Sequence, residues 1–215
     1  MALDIYFDFC STEVNKELIR QRKLLLQNKI DQDSINQLQD MLIQLEYQSV
    51  EPIFLLIDSK GGEIESGLRL LDVINSLHSP INGIADGLVE SVALDILQMC
   101  DRRLSLPNTR FFAHYGTYHK EIRVDRNKFS KRDKDALFRK ICAHKIPREE
   151  LYIKRSNLNK EQLHDFFDQS ERLGLERTAA EMKEMGLIDE ILTDYKIFGK
   201  EWNQQASNQH DKYHR

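Results

Sequence analysis

The run Ile53-Phe54-Leu55-Leu56-Ile57, set between Pro52 and the tetrapeptide Ser59-Lys60-Gly61-Gly62, constrains the fold more than any other stretch of the chain. It is strand-length and apolar at every position rather than at alternate ones, which predicts a strand buried on both faces of a parallel sheet. Ile64, Leu68, Leu71 and Ile74 then recur at helical spacing, and the run that opens at Ile81 ("INGIADG") supplies another strand. Parallel neighbours joined in this way require a crossover, and the intervening helix provides one. Upstream, "KLLLQNKID" (23–31) reads as a first strand closed by a turn. Ile35, Leu38, Met41, Leu42 and Leu45 predict an amphipathic helix over 34–48, capped by Asp33 or Ser34. Downstream, "RRLSLPNTRFFAH" gives two short strands about Pro107-Asn108. Up to about residue 115 the chain therefore alternates strand and helix, the pattern of an α/β layered fold.

Beyond residue 119 the sequence becomes long, charged and mainly helical, breaks at Pro147, and resumes as a helix near 159–169. Thr178 and Glu181 form a capping box for a short helix that ends at Gly186, and "LIDEIL" reads as a last strand. The expected organisation is an N-terminal segment (1–22), one α/β domain (23–198) with a charged helical insertion (119–160), and a polar tail (199–215). The net charge of −4 hides a local +8 over 119–160, where 14 Lys/Arg meet 6 Asp/Glu. Aromatics are sparse there and acids are interspersed, so a solvated helical face is the expectation, not a nucleic-acid surface. No apolar run reaches the length of a membrane span, and the N-terminus lacks a basic n-region. Cys10, Cys100 and Cys142 are widely spaced without a CxxC, which fits a reducing cytoplasm better than a disulfide framework.

Three features could carry chemistry. Gly61-Gly62, between a strand and a helix, lets backbone approach a bound group closely, and N–H groups near a helix start stabilise negative charge. No Walker or GxGxxG pattern accompanies them, so an oxyanion or peptide-strand role stands beside that of a simple tight turn. Ser91 in "GLVESVALDILQMC" opens a helix with core positions Val92, Leu94, Ile96 and Leu97. It is either a nucleophile or only a capping hydroxyl, because Ala93 breaks the Gly-x-Ser-x-Gly signature. His114 closes the strand "RFFAH" and is placed to face a cleft. His119 makes an H-x4-H pair with it, but no third ligand is nearby and no metal or cofactor is expected; His78, His144 and His164 read as surface residues. Backbone donors, a nucleophile and a base in this order are what acyl transfer requires.

The order and spacing of "SKGG", "GLVESVA", "LPNTRFFAH" and the closing "TAAEMKEMGLIDEIL" resemble the ClpP family, the proteolytic subunit of the Clp protease, over about residues 24–194. The resemblance implies a ClpP/crotonase-like fold of layered β-α-β repeats with an extended helical handle at 119–160. It further implies Ser91 as nucleophile, His114 as general base, the Gly62 and Val92 N–H groups as oxyanion hole, and Gly61 at the substrate-binding edge. A serine endopeptidase cleaving peptides or unfolded proteins, assembled in heptameric rings and served by an AAA+ ATPase, would follow.

The sequence departs from the family at the third catalytic position. Counting back from Thr178, the aspartate's place is held by Gly174; counting from the preceding helix at "KEQL", it falls near Ser170. Glu171 is the preferred stand-in, with Asp168 and Glu176 as alternatives. Glu90 replaces a small residue before the nucleophile, Lys60 replaces a proline, and Asp95 stands in the helix where the family is apolar. A charge at Glu90 facing the site would oppose a developing oxyanion, unless Lys60 compensates it. These changes sustain a second reading, a catalytically silent ring subunit or scaffold. A crotonase-like acyl-CoA enzyme is a third, since strand-end amides alone would serve it.

Overall fold

The computed structural model describes residues 13–114 and 148–193. The expectations for 1–12, for most of the charged insertion with His119 and His144, and for the polar tail lie outside the described residues. A first helix α1 (Glu13–Arg20) precedes β1 (Lys23–Gln27), α2 (Gln32–Gln48), β2 (Ile53–Ser59), α3 (Ile64–Ser76) and β3 (Ile81–Glu90). Then follow α4 (Val92–Met99), β4 (Arg102–Ser105) and β5 (Arg110–Phe112). After a helical segment over 148–155 come α5 (Lys160–Leu173), β6 (Arg177–Thr178), α6 (Ala179–Glu184) and β7 (Glu190–Ile191).

The strands form one sheet in the order β1-β2-β3-β4-β7, parallel throughout, with β5 also beside β3 and β6 antiparallel to β5. The strand that opened the sequence reading is buried on both faces, as its composition demands. Ile53, Leu55 and Ile57 join the main core with the helices, while Phe54 and Leu56 join a second cluster with Ile84 and Leu104 on the opposite face. Helix α2 buries Ile35, Leu38, Leu42 and Leu45, with Met41 half-buried beside them. Its cap is Asp31, not Asp33 or Ser34: Ser34 is the third helical residue, and it exchanges hydrogen bonds with Asp31 in a capping box. Thr178 and Glu181 form the capping box expected of them.

Two local features decide where the strand ends meet. The pairing of β2 with β3 shifts register between Ile57↔Ala85 and Ser59↔Val89, where the Asp58 carboxylate accepts the Leu88 N–H at 3.1 Å. Such an irregularity re-aims a strand. The first half of β3 runs beside β4, and its last residues, Leu88 to Glu90, run beside β5. Helix α3 then lies close over α4 because residue 67 is glycine; a Cβ there would stand 2.1 Å from Val92 Cγ2.

The charged region also contains an inward-facing part. Tyr152 is fully buried, Arg148 is turned to Asp95, and Arg155 donates to the carbonyls of Cys100 and Asp101. The end of the basic segment is therefore packed against the core, which corrects the expectation of a solvated face for these residues. A buried guanidinium needs a carboxylate or carbonyl partner, and α4 and its C-terminal turn supply both.

Candidate active site

Ser91 follows the last residue of β3 and precedes the first of α4, with φ +54° and ψ −129°. A non-glycine residue in this region is strained, and a sharp strand-to-helix turn of this kind holds a side chain out from the backbone. The hydroxyl makes no capping hydrogen bond to the helix, so the reading of Ser91 as a mere cap is not what the structure contains. The turn is held from the other side by β5. The Ser91 N–H donates to the Phe112 carbonyl at 2.9 Å, continuing the Glu90↔Phe112 register. β5 stops at Phe112, short of the strand expected to reach His114, which therefore lies two residues beyond the strand adjacent to the one that delivers Ser91. Its ring lies 5.8 Å from the Phe112 ring.

The Gly61-Gly62 segment closes a third side. Its backbone is tied to Ile30: the Ile30 N–H donates to the Gly61 carbonyl at 2.9 Å and the Glu63 N–H to the Ile30 carbonyl at 2.8 Å. Gly61 adopts φ +78°, and a Cβ on it would stand 2.8 Å from Ser91 Cβ and 3.2 Å from Val92 N. Glycine at 61 is what lets this strand end lie against the serine turn. Val92 N–H is the first amide of α4, one of the donors that a helix leaves without an intrahelical acceptor.

His114 is half-buried, and burial together with the Arg148 guanidinium lowers its pKa below the ordinary value, while Glu171 and Asp95 act in the opposite sense. A lowered pKa favours the neutral imidazole, the form that can accept a proton. Of the candidates for the third position, Glu171 is one whose charge reaches the imidazole. Asp168 is engaged at 3.0 Å with Arg172, one turn along its own helix. Glu176 acts on Glu90 instead. Gly174 caps α5 with φ +63°, and among the described residues nothing lies within 4 Å of where its Cβ would stand. Ser170 is fully buried within α5, and its hydroxyl has no hydrogen-bond partner among the described residues.

Glu90 carries a raised pKa, from burial first; Lys60 opposes the shift and Glu176 adds to it. Lys60 and Glu90 therefore sense each other, as the compensation between these two departures requires. The feature that sequence reasoning missed lies behind His114. Asp95, buried in α4, accepts Arg148 Nε at 2.7 Å and the Tyr152 hydroxyl at 2.8 Å. Arg148 Nη1 donates to the His114 carbonyl at 2.6 Å. Its guanidinium also stacks over the Phe167 ring at 4.7 Å. An acid inside an otherwise apolar helix signals that a partner exists, but nothing in the sequence singles out Arg148 from its basic neighbours.

The family model described as Clp protease matches residues 10–195. The chain is 26% identical over 186 residues to "ATP-dependent Clp protease proteolytic subunit 1" of Chlamydia pneumoniae, covering 85% of this chain and 92% of that one. It is 32% identical over 102 residues to "ATP-dependent Clp protease proteolytic subunit 2" of Treponema pallidum, covering 46% of this chain and 51% of the relative. A third relative, "ATP-dependent Clp protease proteolytic subunit" of Ostreococcus tauri, is 30% identical over 105 residues, covering 47% and 52%.

Proposed function

The chain belongs to the Clp protease family, and from that premise we propose that it is a serine peptidase working through Ser91 and His114. Ser91 Oγ attacks the peptide carbonyl and His114 takes its proton, later returning it to the leaving amine. The tetrahedral oxyanion is met by the N–H groups of Gly62 and Val92, with Gly61 leaving room for the substrate backbone. Glu171 orients and stabilises the imidazolium in place of the missing aspartate. Substrates are peptides or unfolded proteins, and the working form is a ring of copies of this chain fed by an AAA+ ATPase.

The observation that carries this reading is the strained, uncapped Ser91 turn, hydrogen-bonded to the last residue of β5 two residues before His114. A serine that only capped a helix would sit in extended backbone and bond an amide of the first turn. A second reading, a catalytically silent ring subunit, is favoured by Gly174 where the acid belongs and by Glu90 beside the nucleophile. A fluorophosphonate probe followed by mass mapping separates the two. Labelling at Ser91 that vanishes in Ser91→Ala is the expected outcome. A folded, assembled sample that takes no label would establish the silent subunit.

A further inference from the structure

We propose that Arg148 is a positioning residue for this site, a buried strut that ties the helix following the nucleophile to the segment beyond β5 that carries the base. The inference rests on the Ser91–His114 reading and extends it to a residue outside the expected triad.

The geometry is that of a bracket. Ser91 immediately precedes α4 and Asp95 lies in its first turn, so a hold on Asp95 fixes the helix start that follows the serine turn. Asp95 Oδ1 holds Arg148 Nε at 2.7 Å, and the same guanidinium donates to the His114 carbonyl at 2.6 Å. Tyr152, one turn further along the 148–155 helix, adds a hydrogen bond to Asp95 at 2.8 Å. The Phe167 ring, 4.7 Å away, limits sideways motion of the guanidinium. Arginine suits this place because its planar fork serves two acceptors at once, which a lysine ammonium on a flexible stem does less well.

Stability alone gives a poor account of such a pair. Arg148 and Asp95 side chains are 14% and 10% exposed. Taking both charges out of water is costly, and a well-packed apolar pair is often as stable or more so. What the ion pair supplies, and an apolar pair would not, is a directional grip on the His114 backbone. With no aspartate at the expected position, the base of this chain is fixed through its main chain. Among the described residues, the charged groups that reach the imidazole are Arg148, Glu171 and Asp95.

The test uses the full chain and three variants: Arg148→Met, Asp95→Asn, and Asp95→Leu/Arg148→Met, in which no charge is left unpaired should the single Arg148 variant fail to fold. Two rates are followed against pH. One is fluorophosphonate labelling of Ser91; the other is carbethoxylation of His114 by diethyl pyrocarbonate, mapped by mass, which reads the neutral imidazole whether or not Ser91 reacts. Losing Arg148 should slow Ser91 labelling at least tenfold and move the His114 midpoint upward, because a nearby cation is gone. Asp95→Asn, which keeps an acceptor for Arg148, should move that midpoint downward. Opposite shifts from the two partners are not produced by a general loss of packing. The proposal is overturned if the folded double variant labels Ser91 within twofold of the native rate, or if the His114 midpoint stays put in both single variants. Should native Ser91 take no label, the nucleophile reading fails, and the His114 midpoints alone decide the strut.

Discussion

At Gly174 the backbone turns left-handed and a side chain would meet no described residue, whereas Glu171, one turn earlier on α5, reaches the field of His114. Gly174→Asp should therefore fold with a cost of about 1 kcal/mol, since aspartate tolerates this conformation better than most residues, and leave Ser91 labelling within twofold. Glu171→Gln should slow labelling at least tenfold. Because Glu171 raises the pKa of His114, its removal should also carry the pH midpoint of labelling further below the ordinary histidine value of 6.5. A midpoint that rises, or a rate unaffected by Glu171→Gln, would remove Glu171 from the site. Ser91 and His114 stood out in the sequence as candidates because each follows a strand-like run within a short motif. The place of the family's aspartate was not settled in the same way, because α5 runs to Leu173 and counts from "KEQL" and from Thr178 fall on different residues, Ser170 and Gly174.

The placement of Ser91 depends on how α3 and α4 pack, and the contact turns on one missing methyl group. A Cβ at Gly67 would stand 2.1 Å from Val92 Cγ2, too close for any small adjustment. Gly67→Ala should cost about 1–3 kcal/mol of stability, the usual range for overpacking, and slow Ser91 labelling by shifting the first turn of α4. Adding Val92→Ala removes the methyl that is struck, so the double variant should recover labelling relative to Gly67→Ala. Additive losses in the two substitutions would mean that the helices meet elsewhere. Elements of this kind were largely readable: the doubly buried β2, the amphipathic α2 and the capping box of α6 all follow from pattern. The register shift between β2 and β3 was not, since "INGIADG" reads as a strand that stops before Leu88. Pairing with β5 carries it three residues further, to the serine turn. That pairing is a tertiary event with no local signature.

Across the whole molecule, carboxylates far from the site hold elements together and should make acid the weak side of its stability. Glu46 on α2 accepts the backbone N–H groups of His78 and Ser79 at 3.0 and 2.9 Å, fastening the helix to the entry of β3. Burial opposes its charge, but these hydrogen bonds prevail and hold its pKa down to about 2. Asp189, which grips Arg103 across β4 and β7, is likewise held below its ordinary value, Arg103 outweighing burial. A carboxylate with a depressed folded pKa contributes stability that is complete above its unfolded value of 4.5 and drains away as pH falls towards 2. Asp86 and Glu90, both raised by burial, behave in the opposite sense, and acid relieves them. Acidification should thus loosen the scaffold while easing charge near the serine turn. Glu46→Gln isolates the first effect. At pH 7 it should cost about 2 kcal/mol, the scale of hydrogen bonds to a charged acceptor. By pH 3 most of the gap from the native chain should have closed, as native Glu46 loses the advantage of its charge. Urea unfolding at a series of pH values measures this directly. A gap that stays constant from pH 7 to pH 3 would mean that Glu46 acts through packing, and that its ionisation plays no part in joining α2 to the sheet.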